Sequence, residues 1–255
     1  MPASAIKPFV AAVRQKWPLY LAGFFLIFGL KYFHSKAGGD ELAWILGPTA
    51  RLVGIMSGIV FEREPRVGYL SRQFRFVIAP SCSGVEFMII AIAALVFSFA
   101  HRMRTVGGGF LWLALSLVFS YPYTVFVNGV RIILAVYLPV FLGGKGLPTP
   151  ERLHTVIGAA VYFTALLIMC LGAGRVSRLI ARTPGGSLTV WAFLPPAFWY
   201  LAIALGIPVL TGAYKNDPGK FAGYAAVMAA VCAAAVLPAC LPPILRKCYT
   251  GARKH

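Results

Sequence analysis

Long apolar segments alternate with short polar segments along most of the chain. A transmembrane helix needs about 20 mainly apolar residues, with a range of roughly 17–25. The pattern therefore predicts an all-α, polytopic integral membrane protein with about six spanning helices. The six segments that satisfy the length condition are 17–33, 84–100, 106–126, 154–172, 190–210 and 221–241.

Two further apolar segments are interrupted by an arginine. Segment 42–61 contains Arg51, and the short segment 129–142 contains Arg131. If both segments span, a basic loop moves to the outside. If neither spans, the N-terminus and all three basic loops are cytoplasmic, as the positive-inside rule requires; these loops are 101–105, 173–189 and 242–255. We therefore expect two additional helices that lie in the plane of the outer face or insert partly into it, which gives eight helices in total.

Composition supports a membrane protein and limits its chemistry. Of the 255 residues, 59% are hydrophobic and 12% are charged, whereas soluble domains average about 45–50% and 25%. We assign the net charge of +17 to basic loops that set topology and contact anionic lipid headgroups, so we expect no nucleic-acid partner. The five cysteines form no CxxC pair and no His/Cys cluster, so we expect neither a metal site nor another cofactor.

Cys82 lies immediately before an apolar helix, in the segment 80–86 with the sequence PSCSGVE. Ser83 and Glu86 have the spacing of a capping box, which predicts that the helix begins near Ser83. The free amides and partial positive charge of a helix N-terminus favour a thiolate, which is the nucleophilic form of cysteine. The alternative is an inert, buried cysteine at the start of a helix.

Arg131 and His154 are two further polar residues at predicted outer helix ends. An arginine in an apolar stretch is costly unless it meets a partner or a wet cavity. Its alternative role is to reach lipid headgroups near a helix end. Thr149 and Pro150 are typical of an N-cap and a first helical position, so we expect His154 in the first turn. The alternative there is an interfacial histidine bonded to a backbone carbonyl.

The three residues are more informative together than alone. A cysteine, an arginine and a histidine at one membrane face suggest a nucleophile, an oxyanion clamp and a general acid/base. His34 and His101 are weaker candidates. The main alternative is a transporter or flippase for an anionic lipid-linked precursor, in which Arg51 and Arg131 bind the anion. A non-catalytic assembly subunit is a third hypothesis.

Three short motifs follow one another along the chain: Cys82-Ser83-Gly84, Asn128-x-x-Arg131, and His154 followed by Gly158. In these motifs and their positions at helix ends, the chain resembles the exosortase/archaeosortase family of membrane cysteine transpeptidases. The resemblance covers roughly residues 75–165. It implies a transmembrane catalytic domain over 1–185. The hydropathy and charge patterns add a C-terminal pair of transmembrane helices with a basic cytoplasmic tail over 186–255, where no motif of the family is found.

The resemblance also implies a reaction and a class of substrate. Cys82 would attack a scissile carbonyl to form a thioester, and Arg131 would stabilise the oxyanion or orient the thiolate. His154 would protonate the leaving amine and then activate the acceptor at the envelope. The substrates would be exported proteins with a C-terminal sorting signal similar to PEP-CTERM, which has a short motif, a transmembrane helix and a basic tail. The residues that would support the reacting groups are Ser83, Gly84, Glu86 and Asn128.

By the same resemblance, the protein lies in the cytoplasmic (inner) membrane of a bacterium or an archaeon, where membrane lipids are further partners. Both termini would be cytoplasmic, and the site would be on the extracytoplasmic face.

In the polar segment 62–80, residues 72–78 alternate partly between polar and apolar, which predicts a short strand. Arg72 and Arg75 are candidates to contact the sorting motif, and a solvated loop is the alternative for this segment.

Overall fold

Helices make up most of the chain, and a small sheet is inserted between the second and the third. A computed structural model describes residues 14–74, 76–141, 149–181 and 193–251, and it confirms the predicted all-α class apart from that sheet. The strands are β1 (Glu62–Glu64), β2 (Gly68–Ser71) and β3 (Phe76–Ile78). The helices are α1 (Trp17–Lys36), α2 (Ala43–Ser57), α3 (Val85–Phe99), α4 (Val106–Phe141), α5 (Pro150–Ala181), α6 (Leu194–Ala204), α7 (Gly206–Leu210) and α8 (Pro218–Gly251).

The central helix of the bundle is α3. Of its 15 residues, 12 are buried, and both hydrophobic clusters of the core include it. It is apolar on every face, which is what a helix enclosed by other helices requires. Helices α1, α4, α5 and α6 pack around it. Residues at the start of α3 therefore stand on the most enclosed element of the molecule.

Four helical segments in the described part are long and apolar enough to cross a membrane. They agree with four of the six predicted spans and indicate a helical membrane protein. The other two predicted spans, 17–33 and 190–210, are not confirmed, and neither is the predicted set of six spanning helices and two in-plane helices. The first lies in α1, a helix of 20 residues, and the second is divided at Leu205 into two short helices. The four segments are Pro80–Arg102, Val106–Pro139, Arg152–Ile180 and Pro218–Val236.

The prediction of a separate helix over 129–142 is wrong. Residues 129–141 continue α4 as one helix of 36 residues, and residue 142 lies outside the described part. The helix continues through Gly129 because this face packs on α2. A Cβ at Gly129 would lie 3.1 Å from the side chain of Leu52, and Ile132 is buried. Burial of this face outweighs the roughly 1 kcal/mol by which glycine disfavours a helix.

The other ambiguous segment, 42–61, contains α2. This helix has 15 residues and is therefore about 22 Å long, too short to cross a hydrocarbon core of about 30 Å. By contrast, α4 is about 54 Å long and exceeds that thickness. The two helices lie side by side. Helix α2 therefore packs along only part of α4, which is too long to lie entirely within the hydrocarbon core.

The three strands pair antiparallel in the order β1-β2-β3. Strand β3 lies within residues 72–78, so the prediction of a short strand there is confirmed. Asp40 connects the loop before α2 to the turn between β1 and β2. It accepts hydrogen bonds from the Arg63 side chain and the Arg66 backbone N–H, both at 3.0 Å. These donors hold the pKa of Asp40 below its usual range.

The two ends of the bundle differ in chemistry. The C-terminus of α1 and the N-termini of α3 and α5 meet at one end, which we call the site end. At the opposite end, which we call the basic end, Arg102 donates to Ser177 Oγ at 3.0 Å. Burial lowers the pKa of Lys16 at the same end. Its ammonium group donates to three backbone carbonyls, those of Ala100, His101 and Met103.

Candidate active site

The three residues singled out in the sequence come together at the site end, although each belongs to a different element. Cys82 ends a short 3-10 turn, Pro80–Cys82, before α3, while Arg131 lies on α4 and His154 on α5. The Sγ atom of Cys82 is 3.9 Å from His154 Nε2. Arg131 Nη2 is 2.8 Å from the same nitrogen. One imidazole nitrogen is therefore shared between a thiol and a guanidinium group.

The turn that carries Cys82 depends on Gly84. The N–H groups of Cys82 and Ser83 donate to Ala79 and Pro80 carbonyls at 2.8 and 3.1 Å, and Gly84 then adopts φ +77°. A Cβ at Gly84 would be strained by this φ and would lie 3.1 Å from Asn128. Glycine therefore both turns the chain into α3 and lets α4 approach closely.

The predicted capping box does not form. The first residue of α3 is Val85, and Gly84 occupies the N-cap without a side-chain bond. Ser83 Oγ instead accepts the N–H of Val85 at 3.4 Å. Glu86 forms an ion pair with Lys31 Nζ at 2.6 Å. The physical reason is that the left-handed Gly84 turns the backbone, and the Lys31 ammonium group is a stronger partner for the Glu86 carboxylate than a backbone N–H.

Asn128 connects the loop that carries Cys82 to Arg131. Its Nδ2 donates to the Cys82 carbonyl at 2.6 Å, and its Oδ1 accepts from Tyr162 Oη at 2.7 Å. The same Oδ1 accepts from Arg131 Nη1 at 3.3 Å. Asn128 and Arg131 are three residues apart on α4, so they share one helix face. The side chain of Asn128 is fully buried, and both ends of its amide are hydrogen-bonded.

Arg131 is only 7% exposed, although it is cationic. Its Nη1 donates to Asn128 and to Tyr162 Oη, each at 3.3 Å, and its guanidinium lies 5.2 Å from the centre of the Tyr162 ring. The Nε atom has no hydrogen-bond partner in the described residues. A Cβ at Gly158 would lie 3.0 Å from that Nε, so only glycine leaves room for the guanidinium group beside α5.

The contacts of His154 favour one tautomer of its ring. Arginine only donates hydrogen bonds, and a neutral imidazole has one acceptor nitrogen. The contact at 2.8 Å marks Nε2 as the acceptor, since Nδ1 is more distant at 3.3 Å. Helix α5 begins at Pro150, as predicted, and the N–H of Leu153 donates to the Thr149 carbonyl at 2.9 Å. His154 is the fifth helical residue, just beyond the first turn in which we expected it.

A cavity of about 330 Å³ opens beside these groups. Its polar lining is supplied by Arg131, His154, Lys31, His34, Ser83 and Glu86. Its apolar wall comes mainly from α3 and from the last three helices, which include Tyr200, Ile203, Pro208 and Met228. The cavity therefore has one reactive polar side and one apolar side.

Two residues of this site were missed in the sequence. Tyr162 lies four residues after Gly158, which lies four after His154, so helical spacing alone places all three on one face of α5. His34 was ranked as a weak candidate, yet its Nε2 lies 3.3 Å from Ser83 Oγ. Burial lowers the pKa of His34, against the opposing influence of Glu86. No local signal marks His34, because the contact joins residues 49 positions apart.

Arg72, one of the two residues proposed to contact a substrate motif, is not part of the cavity lining. Arg72 pairs with Glu62 at 3.0 Å, and both side chains are exposed. Arg75 lies outside the described residues. Across the described ranges, no group of three His, Cys, Asp or Glu side chains is arranged to hold a metal ion. The chain matches no family model, no curated protein and no solved structure.

Proposed function

We propose that the protein is a membrane-embedded cysteine protease and transpeptidase. It cleaves the C-terminal sorting signal of exported proteins through a thioester and transfers them to an acceptor at the envelope. The observation that supports this proposal is the meeting of Cys82, His154 and Arg131 beside a cavity that Arg131 and His154 line. A thiol, a neutral imidazole with its lone pair on Nε2, and a buried guanidinium group can act as nucleophile, general base and oxyanion donor in acyl transfer from a peptide.

The first half of the reaction uses the Cys82–His154 pair. The thiol proton passes to His154 Nε2, and the thiolate attacks the scissile carbonyl carbon. The tetrahedral intermediate then collapses, and the imidazolium gives its proton to the departing amine, which leaves a thioester on Cys82. The separation of 3.9 Å between Sγ and Nε2 is typical of a resting site, because catalytic hydrogen bonds tighten only when substrate binds.

Arg131 provides the positive charge for this step. Its guanidinium is held by Asn128 and by Tyr162, and its Nη2 reaches the His154 nitrogen at 2.8 Å. When His154 Nε2 takes the thiol proton, it can no longer accept a hydrogen bond from Arg131 Nη2. The N–H of Nη2 can then donate a hydrogen bond to the oxyanion. Donors that are fixed in advance stabilise the developing charge without reorganisation.

The shape of the bundle suits a substrate that is tethered in the membrane. Arg131 lies about 37 Å along α4, beyond the roughly 30 Å of a hydrocarbon core. The site would therefore lie at the membrane surface. The apolar wall contributed by α6, α7 and α8 would contact the helix of the sorting signal, which gives the C-terminal region a role as a lateral docking wall.

The orientation in the membrane is supported by charge. Lys16 and Arg102 lie at the basic end, and the positive-inside rule assigns such residues to the cytoplasm. The site end would then face the extracytoplasmic side of the cytoplasmic membrane of a bacterium or an archaeon. Exported proteins reach that side with their C-terminal helix still in the bilayer.

The proposal is tested by the C-termini of exported proteins in cells that carry the wild-type chain or Cys82→Ala. We expect mass spectrometry to find shortened C-termini with the wild type and full-length ones with Cys82→Ala. Cys170→Ala is the matched control, because Cys170 is a free, buried cysteine in the core, and it should process normally. Identical C-termini in wild-type and Cys82→Ala cells would contradict the proposal.

The same strains separate this function from a transporter. A transporter for an anionic lipid-linked precursor would need Arg131 but not Cys82. The arrangement of Arg131 favours the protease, because its donors already contact Asn128, Tyr162 and the base of the proposed nucleophile. If Cys82→Ala cells remained normal and Arg131→Ala cells did not, the transporter would be favoured instead.

A further inference from the structure

A second histidine lines the same cavity as His154 and belongs to a different helix. His34 lies on α1, and its Nε2 is 3.3 Å from Ser83 Oγ, next to the nucleophile in the chain. One turn earlier on α1, Lys31 pairs with Glu86 at 2.6 Å. Lys31 and His34 are three residues apart on α1. They contact Glu86 and Ser83, which are also three residues apart, where α3 begins. All four side chains line the cavity, and the predicted reaction scheme gives His34 no role.

The two histidines differ in the groups that contact the Nε2 atom. On His154, Nε2 is already in contact with Arg131 and with the Cys82 thiol. On His34, the contact at Nε2 is a neutral hydroxyl. Ser83 Oγ accepts the N–H of Val85, so its own hydrogen is free to donate to His34. The Ser83 hydroxyl therefore occupies the position at which another O–H or N–H group can meet the His34 lone pair.

We propose that His34 is the general base for the second half of the reaction, and that it accepts the proton of a hydroxyl or amine acceptor that attacks the Cys82 thioester. This inference rests on the proposed function, because it requires an acyl group on Cys82. It divides the work between two bases. His154 serves the departing amine on the α5 side, and His34 serves the incoming acceptor on the α1 side.

The step balances without another reactant. The acceptor places its O–H or N–H at His34 Nε2, in place of Ser83. Its lone pair attacks the thioester carbonyl while the proton moves to His34. The intermediate collapses, the carbon–sulfur bond breaks, and Cys82 leaves as a thiolate. The proton then returns from His34 to that thiolate, so the acyl group forms an ester or an amide and both residues regain their starting state.

The surroundings of His34 suit a base. Burial lowers the pKa of this histidine, while Glu86 and the Pro80 backbone oppose the shift and Lys31 adds to it. The ring is then unprotonated at neutral pH and can accept a proton. The pairing of Lys31 with Glu86 keeps the ammonium group engaged with a carboxylate.

An activated ester isolates this half of the reaction. The full chain, purified in detergent, is mixed with p-nitrophenyl butyrate in the presence of glycinamide as the amine acceptor. Nitrophenolate leaves without needing a proton, so acylation of Cys82 bypasses the acid role of His154. The burst of nitrophenolate counts acylated Cys82, with Cys82→Ala as the baseline, and the later steady rate reports acceptor attack.

We compare the wild type with His34→Gln, which keeps a hydrogen bond to Ser83 but provides no base. We expect an unchanged burst and a steady rate about 100-fold lower, the size of a lost general base. Hydroxylamine, which is unprotonated at neutral pH and needs no base, should discharge the thioester of both proteins equally. Ser35→Ala, next to His34 on an exposed position, is the matched control and should behave as the wild type.

The outcomes separate the two proposals. A steady rate reduced less than tenfold, with a normal burst, would overturn the role of His34 and leave the proposed function intact. A burst lost in His34→Gln but present in Ser35→Ala would also overturn it, because His34 would then act before acylation or in folding. If the wild type shows no burst above Cys82→Ala, the proposed function itself fails, and the role of His34 fails with it.

Discussion

Each end of the bundle buries a cationic side chain, but the two side chains have different hydrogen-bond partners. At the basic end, Lys16 is 3% exposed, and backbone carbonyls take all three of its donors. At the site end, Arg131 is 7% exposed. It contacts a titratable ring, lines a cavity and keeps one buried N–H without a partner in the described part. Of these two cations, only Arg131 has a partner that can change its protonation state and a cavity beside it.

The largest effect should follow removal of the nucleophile. Cys82→Ser should lower the rate at which exported proteins lose their C-terminal segment by at least about 1,000-fold, because a hydroxyl is far less acidic than a thiol. Pulse-chase labelling measures this rate. The fold should be retained, since the substitution changes one atom. Processing at a tenth of the wild-type rate would show that Cys82 is not the nucleophile.

The next largest effect should come from Arg131→Lys. Lysine keeps the charge but not the planar group that reaches Asn128, Tyr162 and His154 together. We expect processing to fall by about 100-fold or more, as for loss of an oxyanion donor. Arg51→Lys, the same exchange at an exposed arginine on α2, is the control and should be neutral. An active Arg131→Lys enzyme would show that charge alone is sufficient.

A smaller effect should follow Tyr162→Phe. The ring would still stack on Phe87, with centres 4.8 Å apart, but the bond to Asn128 Oδ1 would be lost. One hydrogen bond is worth about 1 kcal/mol, so processing should slow by roughly fivefold to tenfold. Tyr123→Phe, which loses a bond to a backbone carbonyl, is the control. Equal rates in the two variants would remove Tyr162 from the network that positions Asn128.

The smallest effect on chemistry should come from the basic end. Lys16→Met would leave backbone carbonyls without a donor and lower the free energy of unfolding by about 1–3 kcal/mol. Thermal unfolding in detergent measures this change. The nitrophenolate burst per folded molecule should stay at the wild-type value. A lost burst in folded Lys16→Met protein would mean that the two ends are coupled, which would contradict the distinction between the basic end and the site end.

Residue chemistry and local helix signals were enough to predict that three polar side chains lie together at one end of the bundle. Cys82 and His154 are reactive groups near the starts of apolar segments, and the apolar segments form helices that bring them to Arg131. The predicted helix end at Arg131 is absent, since Arg131 lies inside α4. Tyr162 was predictable from its helical spacing after His154 and Gly158. His34 was not predictable, because only the packing of α1 against α3 brings it to Ser83. The continuation of α4 past Gly129 likewise depends on contact with α2, which a local pattern does not contain.

The most direct test of the account is the chemical state of Cys82 in working membranes. Membranes in which exported proteins are being shortened would be quenched with acid, and the chain would be digested and examined by mass spectrometry. We predict a polypeptide joined to Cys82 through a bond that hydroxylamine cleaves, and no such adduct in Cys82→Ala. The account would be contradicted if Cys82 were unmodified in membranes that still shorten exported proteins, and if membranes with Cys82→Ala shortened them at the same rate.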